Sequence, residues 1–473
     1  MIGLNALINT LVEGITAPLD LDFQSAVIDS RQAQPGSLFI ALPGEQTDGH
    51  NFVQAAFDYG AQVALVHKEM DQSFPTVDLR DGHYNPGQWP AEFPLCLRVE
   101  DTLTALQSIA ANWRKHHNLR VVGITGSVGK TTTKELTAAL LSQKYTVLKN
   151  PGNRNNEIGL PLTLLELEDR HDYAVLEMGF YVAGEIQTLC NIAQPQVGVI
   201  TNVGTVHAER AGSQEMIAQG KSELVQALPP SPEGIAILNM DDPWVRRMRG
   251  KTQAQQITYG IYETADLTAS HIKLLGIDGL SCALTYQGKS HPIRSPLLGE
   301  FSVYTILRSV AVALAEGLSW DEITLGLSAG RVDLRMHTFM LPDGATIIDD
   351  TYNASPESTI AALQFLKTLG GRRVAILGDM LELGRYEQEG HQQVGAFSAS
   401  GVDLLILVGP RTRFTAQTAL DHGFPEEKLF WYRDSSEAAR SAAELIKKGD
   451  VVLVKGSNSM RMDKILTALE ARS

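Results

Sequence analysis

VVGITGSVGKTTTKEL, residues 121–136, passes from a strand through a glycine loop into a helix. Val121 to Thr125 is a short run of β-branched residues and glycine, the pattern of a buried strand. Gly126, Ser127, Val128 and Gly129 form the loop, and Lys130, Thr131 and Thr132 open the helix. Glycines let backbone N–H groups wrap an anion closely, and the helix N-terminus adds a dipole of the right sign. The Lys130 ammonium suits the β- and γ-phosphates of a nucleotide, and the Thr131 hydroxyl suits Mg2+. The common spacing of such loops puts a further glycine five positions before Gly129. Ile124 stands there instead, so the general pattern is not met.

On either side the chain falls into three regions. Up to about residue 100, AVIDSR, PGSLFIALPGEQTDGHNF, a helix-like QAAFDYGA and VALVHK predict a small α/β domain, with a polar surface loop over 81–93. The second region holds a helix at 102–115, the strand at 121–125, and further strands at 173–178, 197–203 and 234–240. Helices lie between several of these strands, which predicts a mostly parallel sheet. Residues 255–298 alternate with turns, as in an antiparallel flank, and a helix near 302–317 follows. From residue 329, strands at 345–350, 372–380, 402–409, 428–433 and 451–457 each precede a helical stretch, the pattern of a doubly wound, Rossmann-like sheet. The expectation is an α/β protein of three domains: 1–100, 101–328 with the phosphate loop, and 329–473, with a hinge near 326–332.

Composition sets outer limits. The chain has 473 residues, 44% hydrophobic and 20% charged, ordinary for globular domains. A formal net charge of −14 argues against a broad nucleic-acid surface. Three dispersed cysteines, Cys96, Cys190 and Cys282, fit core thiols better than a disulfide frame or a zinc site. The N-terminus lacks a basic leader pattern, and no apolar run reaches the ~18 residues of a membrane span. The expected setting is the cytoplasm.

Polar residues at strand ends are the next signal. Glu177 closes a buried strand, Asn202 and His207 follow another, Asp350 ends a third, and Lys455, Ser457 and Asn458 lie just past a fourth. Carboxyl ends of parallel strands are where open sheets bind ligands. Other positions say less by themselves. Lys221 on IAQGKSELVQAL reads as a solvated helix lysine, and Asn153, Asn155 and Asn156 read as turn asparagines. Arg335 reads as an interdomain arginine, Ser457 as a helix cap, and Ser30, Arg31, Gly44, Asp48, Gly49 and His50 as turn residues.

Taken together, these segments resemble the Mur ligase family. TGSVGKTTT has the shortened loop of Mur ligases and folylpolyglutamate synthases. In order along the chain, IDSRQAQPGSLFIALPGEQTDGHNF (28–52), NPGNRNNEIGLPLTLLEL (150–167), LEMGFYVAGEIQTL (176–189) and ITNVGTVHAERAGSQEMIAQGKSEL (200–224) are similar to family segments. So are IDDTYNASPES (348–358), LGDMLELGRYEQEGH (377–391) and VLVKGSNSMRMD (452–463). The last regions point to the branch that joins D-alanyl-D-alanine to a UDP-N-acetylmuramoyl-tripeptide through an acyl phosphate. The rivals are the branch that adds an amino acid to the UDP-muramoyl-dipeptide, and a P-loop ATPase without ligation. The Asp-Asn-Pro-Arg-like signature of that first rival is absent from the C-terminal region.

The resemblance implies roles that the residues alone do not. Lys130, Glu177, His207 and Lys221 become the catalytic set, with Mg2+ at Thr131, Glu177 and His207 and a carbamate on Lys221. ATP falls to residues 126–132, Thr305, Arg335, Asp350 and Asn353. The muramoyl-peptide and amine substrates fall to Asn153, Asn155, Asn156, Asn202, Lys455, Ser457 and Asn458, and the uridine end to Ser30, Arg31, Gly44, Asp48, Gly49 and His50. A monomer acting without nucleic acid is expected. Some positions depart from the family: Phe301 stands for a usual histidine, Thr305 for an asparagine associated with adenine, and SNSM for Ser-Arg-Gly-Met. His337 stands where an acidic or amide residue is common. Thr305 offers a single hydroxyl where the amide offers a paired contact.

Overall fold

The structure, a computed structural model, describes residues 2–44, 47–71, 73–80, 89–205, 208–328 and 336–471. The chain divides into two compact units. One is Met1–Val122, Tyr145–Met178 and Gln187–Pro195; the other is Gly123–Lys144, Gly179–Ile186 and Gln196–Ser473.

The first unit carries a five-stranded sheet in the order Ser25–Val27, Ser37–Ile40, Ala61–Val66, Leu95–Arg98, Thr76–Asp78. Every pairing in it is parallel. Phe39, Ala64, Val66 and Cys96 pack on one face against Val53 and Ala56 of the helix Val53–Asp58. The helix Thr102–Lys115 is capped by Asp101, whose carboxylate accepts from Thr104 N–H at 2.7 Å. The same unit holds the parallel pair Val147–Lys149 and Tyr173–Glu177. The stretch expected as a loop at 81–93 lies outside the described residues over 81–88.

The second unit holds two sheets. The first runs in the order Lys289–Ser295, Leu280–Tyr286, Leu267–Leu274, Gln255–Gly260, Ile235–Asn239, Val197–Ile200 and then the Gly123–Thr125 end of the strand Arg120–Thr125. The hairpin strands over 267–295 pair antiparallel, as expected for a flank, whereas Gln255–Gly260 joins the parallel part beside Ile235–Asn239. The other sheet runs His337–Met340, Thr346–Asp350, Asp450–Lys455, Arg372–Gly378, Leu404–Val408, Leu429–Tyr432, parallel except at its first pair.

This last sheet is wound on both faces. Successive residues of a strand point to opposite faces. Ile348, Leu377, Leu405 and Leu453 pack against the helices Pro356–Lys367, Glu387–Gly401 and Arg413–Asp421. Ile347, Ile376, Ile406 and Val454 pack against Ser435–Leu445 and Asp463–Glu470. The last strand inserts between the first two parallel ones, so the winding reverses beside Asp350 and Lys455, the crevice position of such folds. All three cysteines are buried and unbridged, and burial pushes the Cys96 thiol up to about 12 and Cys282 to about 11. Among the described residues, no helix is long and apolar enough to cross a membrane.

Candidate functional site

The phosphate loop is held in a space without room for a side chain. Gly126 has φ +146°, and a Cβ there would stand 1.8 Å from Thr201 Oγ1. Gly129, at φ +84°, precedes the helix Lys130–Leu141. Segment 201–204 straps the loop. Ser127 N–H donates to the Asn202 carbonyl at 3.0 Å and Val128 N–H to Asn202 Oδ1 at 2.9 Å. The Thr201 hydroxyl donates to the Val128 carbonyl at 2.8 Å, and Gly204 N–H to Ser127 Oγ at 2.9 Å. Lys130 Nζ folds back on the Gly126 carbonyl at 2.9 Å.

The strap has anchors of its own. Asp242 caps the helix Pro243–Arg247 and accepts Val203 N–H at 2.8 Å. Glu357, in the first turn of Pro356–Lys367, accepts from the N–H and hydroxyl of Thr205, both at 3.3 Å. Asp241 gathers the N–H groups of Ile261, Tyr262 and Glu263 and the Tyr304 hydroxyl. These groups surround a cavity of about 460 Å³, lined by residues 127–132, Asn202, Thr305, Asp350, Asn353 and Lys455 among others. Thr305 is buried, and its hydroxyl accepts from Arg308 at 2.8 Å. Lys455 Nζ donates to Asp350 Oδ2 at 2.6 Å and to the Asn353 carbonyl at 2.8 Å, so it lines the cavity with the residues expected to hold ATP.

Ser457 lies one step away, tying Leu381 N–H by its hydroxyl and the Asp379 carbonyl by its own N–H. Asn458 is exposed and opens the turn Asn458–Met460. Lys221 is fully buried on the helix Gln214–Gln226, with Nζ 4.6 Å from the centre of the Phe180 ring and, among the described residues, no hydrogen-bond partner. Burial, with the Lys130 charge adding to it, pushes its pKa well below the ordinary lysine value. The solvated-lysine reading of this position is therefore set aside.

In the first unit Glu177 is buried at the end of its strand, and Asn155 Nδ2 donates to its Oε1 at 2.8 Å. Asn150 clamps the same strand end, accepting Glu177 N–H at 2.9 Å and donating to its carbonyl at 3.0 Å. Asn156 accepts Gly159 N–H at the start of the helix Gly159–Leu164, while Asn153 is exposed. Glu177 and Thr131 both offer oxygen, the donor type that hard Mg2+ takes. Nearer the N-terminus, Asp48 accepts His50 N–H and Nδ1–H and pairs with Lys68, which holds its carboxyl well below the usual range. His50 Nε2 accepts His67 N–H at 3.1 Å, and burial keeps the imidazole below its ordinary pKa. Asp48 and His50 thus fasten one corner of the domain. Arg31 forks onto Asp29 at the surface, Ser30 is buried, Gly44 N–H meets the Thr47 carbonyl, and a Cβ on Gly49 would strike Leu42. His207 and Arg335 lie outside the described residues.

Sequence reasoning passed over Asn150, Asp241, Asp242, Arg308 and Glu357. The acidic pair of DDP at a strand end was a readable signal for the two aspartates, and a lone cation in TILRSVAVAL was one for Arg308.

Family models match in order along the chain: the Mur ligase family catalytic domain at 23–114, the Mur ligase middle domain at 124–313, and the Mur ligase glutamate ligase domain at 334–458. The chain is 37% identical over 457 residues to the UDP-N-acetylmuramoyl-tripeptide--D-alanyl-D-alanine ligase of Synechocystis sp., covering 96% of this chain and 93% of that one. Its structure resembles MurF from Acinetobacter baumannii, with TM-score 0.85 and 31% identity over 99% of this chain and 98% of the other. It also resembles the MurF ligase from Thermotoga maritima in complex with ADP, with TM-score 0.78 and 27% identity over 95% and 97%.

Two outcomes are expected from this geometry. Gly126→Ala forces a methyl onto Thr201 and strains the backbone, so ATP-dependent turnover falls by roughly a hundredfold or more, measured by phosphate release on protein whose circular dichroism is unchanged. The second concerns Lys221. Its folded pKa is depressed, so between that value and the ordinary 10.5 the unfolded chain binds the extra proton and stability rises with pH. In CO2-free buffer Lys221→Met melts higher than the parent at neutral pH, and the gap closes as pH nears 10.5.

Proposed function

The chain belongs to the Mur ligase family, and from that premise we propose that it joins D-alanyl-D-alanine to UDP-N-acetylmuramoyl-tripeptide with ATP, forming ADP and phosphate. It is an ADP-forming amide ligase of peptidoglycan precursor synthesis. The nucleotide half of this reading is carried by the cavity, which the phosphate loop shares with Asp350, Asn353 and Lys455. The identity of acid and amine rests on the likeness to ligases of that name over nearly the whole chain.

The chemistry sets two anions against each other, a carboxylate and a triphosphate, so positioning and charge neutralisation dominate. The substrate carboxylate attacks the γ-phosphorus and ADP leaves. The amine of D-alanyl-D-alanine then attacks the acyl phosphate, an amide bond forms, and phosphate departs with the former carboxylate oxygen. Lys130 and the loop N–H groups hold the polyphosphate. Asp350 and Asn353 bind the ribose side, with Arg335 approaching the phosphates and Thr305 near the base. Thr131, Glu177 and His207 would hold Mg2+, which would supply neutralisation of phosphate charge.

Lys221 is the carbamate site: burial disfavours the ammonium and so favours the neutral amine that reacts with CO2, and the product carries the opposite charge. Asn153, Asn155, Asn156 and Asn202 line the muramoyl-peptide side, Lys455, Ser457 and Asn458 the D-alanyl-D-alanine or tripeptide side, and Ser30, Arg31, Gly44, Asp48, Gly49 and His50 the uridine end. The pair of Lys455 with Asp350 sets it beside the ATP residues as well. The domains divide as 1–100, 101–328 and 329–473, and the enzyme works in the cytoplasm as a monomer.

The test is phosphate release with ATP, Mg2+ and UDP-N-acetylmuramoyl-tripeptide, with and without D-alanyl-D-alanine. Release that requires the dipeptide, with a pentapeptide nucleotide found by mass, is expected. Release indifferent to it leaves an ATPase and removes the ligase reading. In the same assay Lys221→Ala loses most activity and short carboxylic acids restore part of it; full activity of the unsupplemented variant ends the carbamate assignment.

A further inference from the structure

Arg308 interrupts an apolar run on the helix Ser302–Ala315, yet it is only 4% exposed. Its Nε donates to Thr133 Oγ1, and its Nη2 donates to Thr305 Oγ1 at 2.8 Å and to the Gly129 carbonyl at 3.3 Å. Thr133 in turn donates its hydroxyl to the Gly129 carbonyl at 2.6 Å. A Cβ on Gly129 would stand 2.4 Å from Nη2, so the Nη2 end of the guanidinium closes on the loop where the helix begins. These acceptors are neutral oxygens, and among the described residues no carboxylate pairs with the guanidinium. A buried cation without a counter-ion is costly, and neutral hydrogen bonds offset only part of that cost. Arg308 also lines the cavity that holds Lys130, so an anion arriving there meets two fixed positive charges.

We propose that Arg308 is a positioning residue for the nucleotide polyphosphate. Its charge behind Gly129 keeps the loop N–H groups aimed into the cavity, and the polyphosphate supplies the anion that the guanidinium lacks. This rests on the ATP reading and extends it to a residue outside the loop. A brace between two helices would account for the burial alone, since Thr137 and Ser309 already join the same pair at 3.1 Å. Such a brace would affect melting temperature without discriminating between nucleotides.

The experiment compares the full chain with Arg308→Lys and Arg308→Met by calorimetric titration of ADP and of AMP, and by the Michaelis constants for ATP and for the UDP-linked substrate. Arg308→Met is expected to weaken ADP and raise KM for ATP by about tenfold, the scale of a lost hydrogen bond to a charged group. AMP, which lacks the β-phosphate, loses far less, and KM for the UDP-linked substrate holds. Lysine restores most of the loss, because the charge returns. ADP affinity unchanged in Arg308→Met, ADP and AMP weakened alike, or lysine no better than methionine overturns the proposal. A parent chain that binds neither nucleotide overturns the ATP reading together with it.

Discussion

Gly126 and Thr201 approach so closely that no side chain fits between them, and much of the cavity follows from that contact. The loop must pass under segment 201–204, which then satisfies the loop's inner N–H and carbonyl groups. The strap is itself held at Val203 by Asp242 and at Thr205 by Glu357. Glu357 belongs to the helix that follows the strand ending at Asp350. The geometry of a phosphate-binding turn is therefore tied, bond by bond, to the doubly wound sheet whose crevice faces the same cavity. Such preorganisation is what phosphoryl transfer to an anion requires, because little covalent work is left to the protein.

Charge is distributed with the same logic. Lys130 rests on loop carbonyls, and Lys455 is spent on Asp350 and the Asn353 carbonyl. Lys221 is buried against Phe180, where its charged form is disfavoured. Three lysines thus stand in three electrostatic states: one on the loop, one in an ion pair and one driven towards neutrality. The last is the form of an amine that reacts as a nucleophile, which is the property the carbamate proposal for Lys221 draws on.

The sequence made some of this legible and hid the rest for physical reasons. The strand–loop–helix at 121–136 and the five strand–helix units after residue 345 were readable because local periodicity and glycine placement encode them. Strand order was not readable. Asp450–Lys455 inserts between Thr346–Asp350 and Arg372–Gly378 through long-range pairing that no local pattern specifies. For the same reason the pairing of Lys455 with Asp350, far away in sequence, was not readable. Lys221 looked like a surface lysine because helical spacing does not reveal which face is covered. Arg308 stood out as a lone cation among apolar neighbours, but the oxygens it meets at the start of the helix Lys130–Leu141 are long-range contacts that no local pattern specifies.

The central claim is that the terminal carboxylate of the UDP-linked peptide is phosphorylated and then attacked by an amine. It is tested most directly by labelling that carboxylate with 18O and examining the phosphate released in the presence of ATP and D-alanyl-D-alanine. The account predicts phosphate carrying a single 18O, because the oxygen that attacks the γ-phosphorus leaves with it. Unlabelled phosphate, with the label kept wholly in the peptide, would mean that ATP is merely hydrolysed and would contradict the account.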